Sequence, residues 1–133
     1  TVYVVDPIGK PMEGVEVPWP RTDDGHAGPG ESSMMLALRP ELVHMERLVE
    51  NEGRALGRLR GLREAGVETG IWWYADHPTH YQGDAALANA ETGEQILDAR
   101  ARYVVRAVRA IKADTEAKRL QDEFFARSAA PSN

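Results

Sequence analysis

Apolar residues along this chain fall into short, differently spaced clusters separated by Gly- and Pro-rich stretches. Thr1-Val2-Tyr3-Val4-Val5 is β-branched and aromatic and is closed by Asp6-Pro7, the pattern of a short buried strand. Four prolines and two glycines between Pro7 and Pro20 predict a loop, with Trp19 either pinning it to the core or forming a pocket wall. The apolar run Met34-Met35-Leu36-Ala37-Leu38 predicts a helix capped by Ser32 or Ser33 and stopped at Pro40. Pro40 and Glu41 suit the start of a second helix, in which Leu42, Met45, Leu48 and Val49 share a face. Leu56, Leu59 and Leu62 against Arg54, Arg58, Arg60 and Arg63 predict an amphipathic helix over 54–64 whose arginines form a solvated face or, less in keeping with their spread, a phosphate or partner contact.

Farther along, Thr69-Gly70-Ile71-Trp72-Trp73-Tyr74 reads as a second strand, Ile71 and Trp73 on one side, Trp72 and Tyr74 on the other. Asp84 suits the cap of a short helix over 85–90. Thr92-Gly93-Glu94-Gln95 fits a capping box at the head of a long helix, whose Leu97, Ala101, Val104, Val108 and Ile111 form a core stripe. Beyond Lys112 the pattern thins to a helical extension or oligomer contact around Phe124-Phe125 and a loose end at Pro131-Ser132-Asn133.

Composition narrows the function classes. A net charge of −5 with acids and bases interleaved argues against a general nucleic-acid surface. The absence of cysteine removes disulfides and thiolate metal sites and fits the cytoplasm. No apolar run approaches the roughly 20 residues of a membrane-spanning helix.

The chemistry-bearing residues lie in two loops. Asp23-Asp24-Gly25-His26-Ala27-Gly28-Pro29-Gly30-Glu31 combines acids, a histidine and glycines at the head of a helix, where free N–H groups face anionic atoms. Asp76-His77-Pro78-Thr79-His80 has donors of metal-ligand type at short spacing, open to three readings: an independent metal site, a substrate-pocket or interface loop, or plain surface.

The segment His26-Ala27-Gly28-Pro29-Gly30-Glu31-Ser32-Ser33, with Met34 to Leu38 and Arg39-Pro40-Glu41-Leu42-Val43 after it, resembles the creatininase (creatinine amidohydrolase) family. That family carries His-(Ala/Gly)-Gly-x-x-Glu-Thr-Ser before a Met/Leu-rich helix. Gly83-Asp84-Ala85 through Gly93-Glu94 resembles its later Gly-Asp-Pro…Glu-x-Gly-Glu segment. The resemblance implies part of a three-layer α/β/α fold, residues 1–112 forming its C-terminal portion, with the N-terminal half absent and 113–133 an extension. It implies hydrolysis of a non-peptide or cyclic amide with two divalent metal ions, zinc or manganese, none held tightly by this chain alone. The family's ligand segments, Glu-x-His…Asp and Asn-Gly-His, do not occur here. The expected partners are a small-molecule amide and either further copies of the chain or a complementing N-terminal segment; the competing reading is a non-catalytic interaction module.

By the same resemblance His26 is the proton shuttle, Asp23 or Asp24 orients it, and Glu31 is a metal ligand or stands behind one. Trp73, His77 and His80 are the candidate substrate contacts. Creatininase itself has a Trp-Asp-x-Glu run where this chain has Thr22-Asp23-Asp24-Gly25, which argues against creatinine as the substrate.

Overall fold

The structure is a computed structural model that describes residues 1–6, 12–20, 22, 24–49 and 52–130. Among these residues five α-helices are formed: α1 (Pro29–Leu38), α2 (Arg60–Glu64), α3 (Trp72–Asp76), α4 (Ala90–Ala113) and α5 (Glu116–Ala129). Single 3-10 turns lie at Pro40–Leu42, Met45–Arg47 and Ala85–Leu87. No strand occurs among the described residues, so neither an α/β fold nor a three-layer α/β/α arrangement is present in them.

The chain divides into two units. One comprises residues 13–98; the other comprises 1–12 and 99–133. In the second unit the expected strand Thr1–Val5 is absent. A strand needs a partner ladder for its backbone, and no described segment supplies one. Its alternation survives instead as side-chain anchoring. Thr1 Oγ1 donates to Gln121 Oε1 at 2.6 Å and Tyr3 Oη to Asp114 Oδ2 at 2.5 Å, while Val2 and Val4 are 89% and 91% exposed. Asp114 also accepts the Glu116 and Ala117 N–H groups, capping α5 from one residue outside its first turn. The exposed face of α5 carries ion pairs at helical spacing: Lys118–Asp122, Arg119–Glu116, Arg119–Glu123 and Arg127–Glu123.

In the first unit the buried apolar residues are Trp19, Ala75, Ala85 and Ile96. α1 begins at Pro29, whose missing N–H costs nothing in a first helical turn, and ends at Leu38, before Pro40. Ser32 and Ser33 therefore sit inside the helix and cap nothing. Ser33 is fully buried, and its Oγ accepts the Asn89 N–H at 3.0 Å. α4 starts at Ala90 because Asn89 Oδ1 accepts the Thr92 N–H at 2.9 Å. The cap is thus Asn89, and Thr92 lies in the first turn. The buried face of α4 is Thr92, Gly93, Ile96 and Ala99, one position ahead of the expected stripe, whose Val104 and Val108 are exposed. Asp84 does cap the turn after it, accepting the Ala86 N–H at 3.0 Å.

The expected strand at 69–74 is instead the short helix α3, and the expected helix over 54–64 is reduced to α2. The two departures share one cause. The Leu56 and Gly57 N–H groups turn away from any helix to donate to Asp76, at its carbonyl oxygen (3.2 Å) and at Oδ1 (2.9 Å). Gly57 takes φ +67°, which glycine adopts without penalty. Arg58 donates to the Tyr74 and Ala75 carbonyls and lies over the Tyr74 ring at 5.3 Å, and Arg63 pairs with the Asp76 carboxylate. Two of the four arginines expected on a solvated face are thereby the C-terminal cap of α3.

The Asp76 side chain is 2% exposed, and the Arg63 guanidinium, with help from the Gly57 N–H, holds its carboxyl below the ordinary aspartate range against the opposing effect of burial. A depressed folded-state pKa stabilises the fold above the unfolded value and loses that contribution as pH falls through the folded value. Urea midpoints of the wild type should therefore fall as pH drops below about 4, the unfolded aspartate range. Asp76→Asn should be less stable at neutral pH and lose less over the same acid interval; parallel curves for the two proteins would contradict this role.

Candidate functional site

The site is built on the turn that enters α1. Asp24 Oδ1 accepts the Gly30 N–H at 3.1 Å, satisfying one open donor of the helix. A Cβ at Gly30 would lie 2.9 Å from both Asp24 carboxylate oxygens, so glycine lets the acid close on the backbone. Ala27 takes the left-handed φ of +55°, unusual for a residue with a Cβ. Two bonds hold it there: its N–H donates to Glu31 Oε2 at 2.8 Å, and its carbonyl accepts Ser32 Oγ–H at 2.9 Å. Glu31 and Ser32 thus fold the helix start back onto the residue after His26.

That turn brings Glu31 Oε2 to 3.8 Å from His26 Nδ1, with both side chains more than half exposed. The gap is too long for a hydrogen bond and leaves the two groups side by side. The His26 ring meets the edge of Trp73 at 5.8 Å between centroids, and Trp73 in turn lies 4.9 Å from the His77 ring. A row His26–Trp73–His77 results, running from exposed to 3% exposed. The Gln82 N–H donates to the His26 carbonyl at 2.9 Å, and a Cβ at Gly25 would stand 2.5 Å from the Gln82 carbonyl oxygen. Together with the Asn89–Ser33 bond, this joins the loop at 24–31 to the segment that begins at Gln82-Gly83.

The residues singled out from sequence are thus only partly assembled. His26, Glu31, Trp73 and His77 come together. Asp23 lies outside the described residues. Asp24 bonds to the α1 backbone, and the carboxylate beside His26 Nδ1 is that of Glu31. His80 is on an exposed turn at φ +65°, its N–H on the His77 carbonyl, with no ring contact to His26 or Trp73. The Asp76-His77-His80 metal reading is not assembled, because Asp76 is taken by Arg63 and Gly57. Gln82 and Ala27 were not legible as site residues; Gln82's position directly before Gly83-Asp84 is the one sequence signal it offers.

Among the described residues no group of three or more His, Asp or Glu side chains could hold a metal ion. His26 and Glu31 alone give two donors, short of the three protein ligands that catalytic zinc sites use. These residues do not fit a metal centre on their own. No described helix is long and apolar enough to cross a membrane.

The Gly25–Gly30 turn, the acid folded back on the residue after His26 and the joined Gly83-Asp84 segment occupy the region that a family profile recognises. The profile of the creatininase (creatinine amidohydrolase) family matches residues 6–108, and the chain belongs to that family. No curated protein and no solved structure matches the chain.

Proposed function

We propose that the chain works in a creatininase-like amidohydrolase that opens a non-peptide or cyclic amide. The observation that carries this reading is the family match over residues 6–108, which spans both His26 and the Gly83-Asp84 segment. His26 is the proton carrier. Glu31, held by the Ala27 N–H, faces Nδ1 and stabilises the imidazolium, which leaves Nε2 free for the reacting atoms. Nε2 takes a proton from the attacking water and returns it to the leaving nitrogen. Trp73, edge-on to His26, shields one side of the ring from water. Family membership brings with it an expectation of two divalent metal ions, zinc or manganese. The proposal puts their donors outside the described residues, and every step assigned here runs through this chain's own side chains.

The test uses the protein purified as its cell makes it. It should hydrolyse members of a panel of cyclic amides and N-formyl amines, lose that activity to a chelator and regain it with zinc or manganese. A metal-loaded protein that cleaves nothing in such a panel overturns the proposal.

A further inference from the structure

A cavity of about 430 Å³ is lined in part by Leu48, Val49, Arg54, His77, Tyr81 and Asp84. Its size falls in the roughly 300–1,000 Å³ range of small-ligand sites. His77 is 3% exposed, and its Nδ1 is buried without a hydrogen-bond partner among the described residues. A buried ring nitrogen left unpaired is uncommon and calls for a reason. Two further donors line the same cavity. Arg54 makes no ion pair among the described residues. The Tyr81 oxygen accepts the Ala85 N–H at 2.7 Å, but its own O–H finds no described acceptor. Burial, the largest influence on Tyr81, pushes its pKa up and keeps that proton in place.

We infer that this cavity binds a small organic carboxylate, held by the Arg54 guanidinium and the Tyr81 hydroxyl beside the buried His77 ring, with the aliphatic part against Leu48 and Val49. Asp84 and Glu52 decide between a carboxylate and a phosphate. Both carboxylates act on the Tyr81 hydroxyl, so the cavity already carries negative charge that a dianion would oppose. Asp84 is compatible with a monoanion because its Oδ1 is engaged by the Ala86 N–H. The cavity also touches the candidate site: the His77 ring packs on Trp73, and Gln82, another lining residue, holds the His26 carbonyl. The inference rests on the amidohydrolase reading where it narrows the substrate to amides that bear a carboxylate.

The probes are N-acetylglycine, its neutral counterpart N-acetylglycinamide, and inorganic phosphate, followed by calorimetry and by the His77 ring-nitrogen NMR signals. N-acetylglycine should bind and move the His77 Nδ1 resonance. The neutral amide should bind about tenfold or more weakly, as should N-acetylglycine to Arg54→Gln, since a hydrogen bond to a charged group is lost. Arg54 is exposed, so the variant should melt as the wild type does. Equal binding of the neutral amide, tighter binding of phosphate, a still His77 signal or an indifferent Arg54→Gln would each overturn the inference. His26→Ala should keep the binding. Carboxylate binding by a protein that cleaves no amide overturns the amidohydrolase reading alone. Amide cleavage indifferent to the carboxylate and to Arg54 overturns the cavity assignment alone.

Discussion

Gly93→Ala is expected to destabilise the fold by about 2 kcal/mol, the middle of the range for overpacking a closely packed contact. A Cβ at Gly93 would fall far inside van der Waals contact with the Ser33 carbonyl oxygen and carbon, and 2.9 Å from the Met34 nitrogen. Those are backbone atoms of α1, so no side-chain rotation relieves the clash. The helices would have to separate, and separation would also stretch the Asn89 N–H to Ser33 Oγ bond at the same crossing. Alanine's better helix propensity works the other way by about 1 kcal/mol and does not compensate. Gly61 is the control. It lies in α2 with nothing within 4 Å of its would-be Cβ, so Gly61→Ala should be neutral or stabilising. Urea unfolding of both variants decides the matter: a Gly93→Ala midpoint at or above the wild type's would show that α1 and α4 do not cross as closely as described.

What the sequence revealed of this fold was local. Pro40 stops α1 and Asp84 caps its turn because each acts through its own backbone neighbours. Where the sequence misled, a distant partner decided. Thr69 to Tyr74 has strand composition, yet Trp72 to Asp76 is helical, with donors from Leu56, Gly57, Arg58 and Arg63 closing its C-terminal end. β-Propensity describes fit to a pleated surface, and no second strand is there to provide one among the described residues. At the head of α4 two caps competed within four residues, Asn89 and Thr92, and the choice of Asn89 lengthened the helix toward its N-terminus. The buried face depended equally on tertiary contact, with Ile96 1% exposed while Val104 and Val108 of the apolar stripe stay accessible.

The candidate site divides the same way. His26 and Glu31 stand out as residues in a motif, but which carboxylate faces His26 does not follow from spacing. Asp24 is nearer in sequence and is drawn off by the Gly30 N–H, while the left-handed Ala27 brings Glu31 round to the imidazole. The cavity lined by His77 was less legible still. Arg54 read as one more solvated arginine because its place beside His77 joins segments more than twenty residues apart, and Tyr81 had no pattern to mark it.

His26→Ala is expected to lower kcat for amide hydrolysis by roughly 100-fold to 10,000-fold, the range for losing a positioned acid–base group. The fold should be little affected. The His26 side chain is 57% exposed, and the bond that ties its loop to Gln82 uses the backbone carbonyl, which alanine keeps. The edge contact with Trp73 is the one packing term lost, about 0.5–1.5 kcal/mol. Glu31→Gln separates orientation from charge. Glutamine's oxygen can still accept the Ala27 N–H and keep the turn, so the variant should fold normally while losing the negative charge beside the His26 ring. Its kcat should fall less than that of His26→Ala, by about tenfold, the equivalent of about 1.4 kcal/mol. KM should change little in either variant, because neither residue is asked to hold the ground-state substrate. A His26→Ala enzyme with the wild-type kcat would remove His26 from the chemistry. A Glu31→Gln enzyme slower than His26→Ala would give Glu31 a task beyond orienting the imidazole.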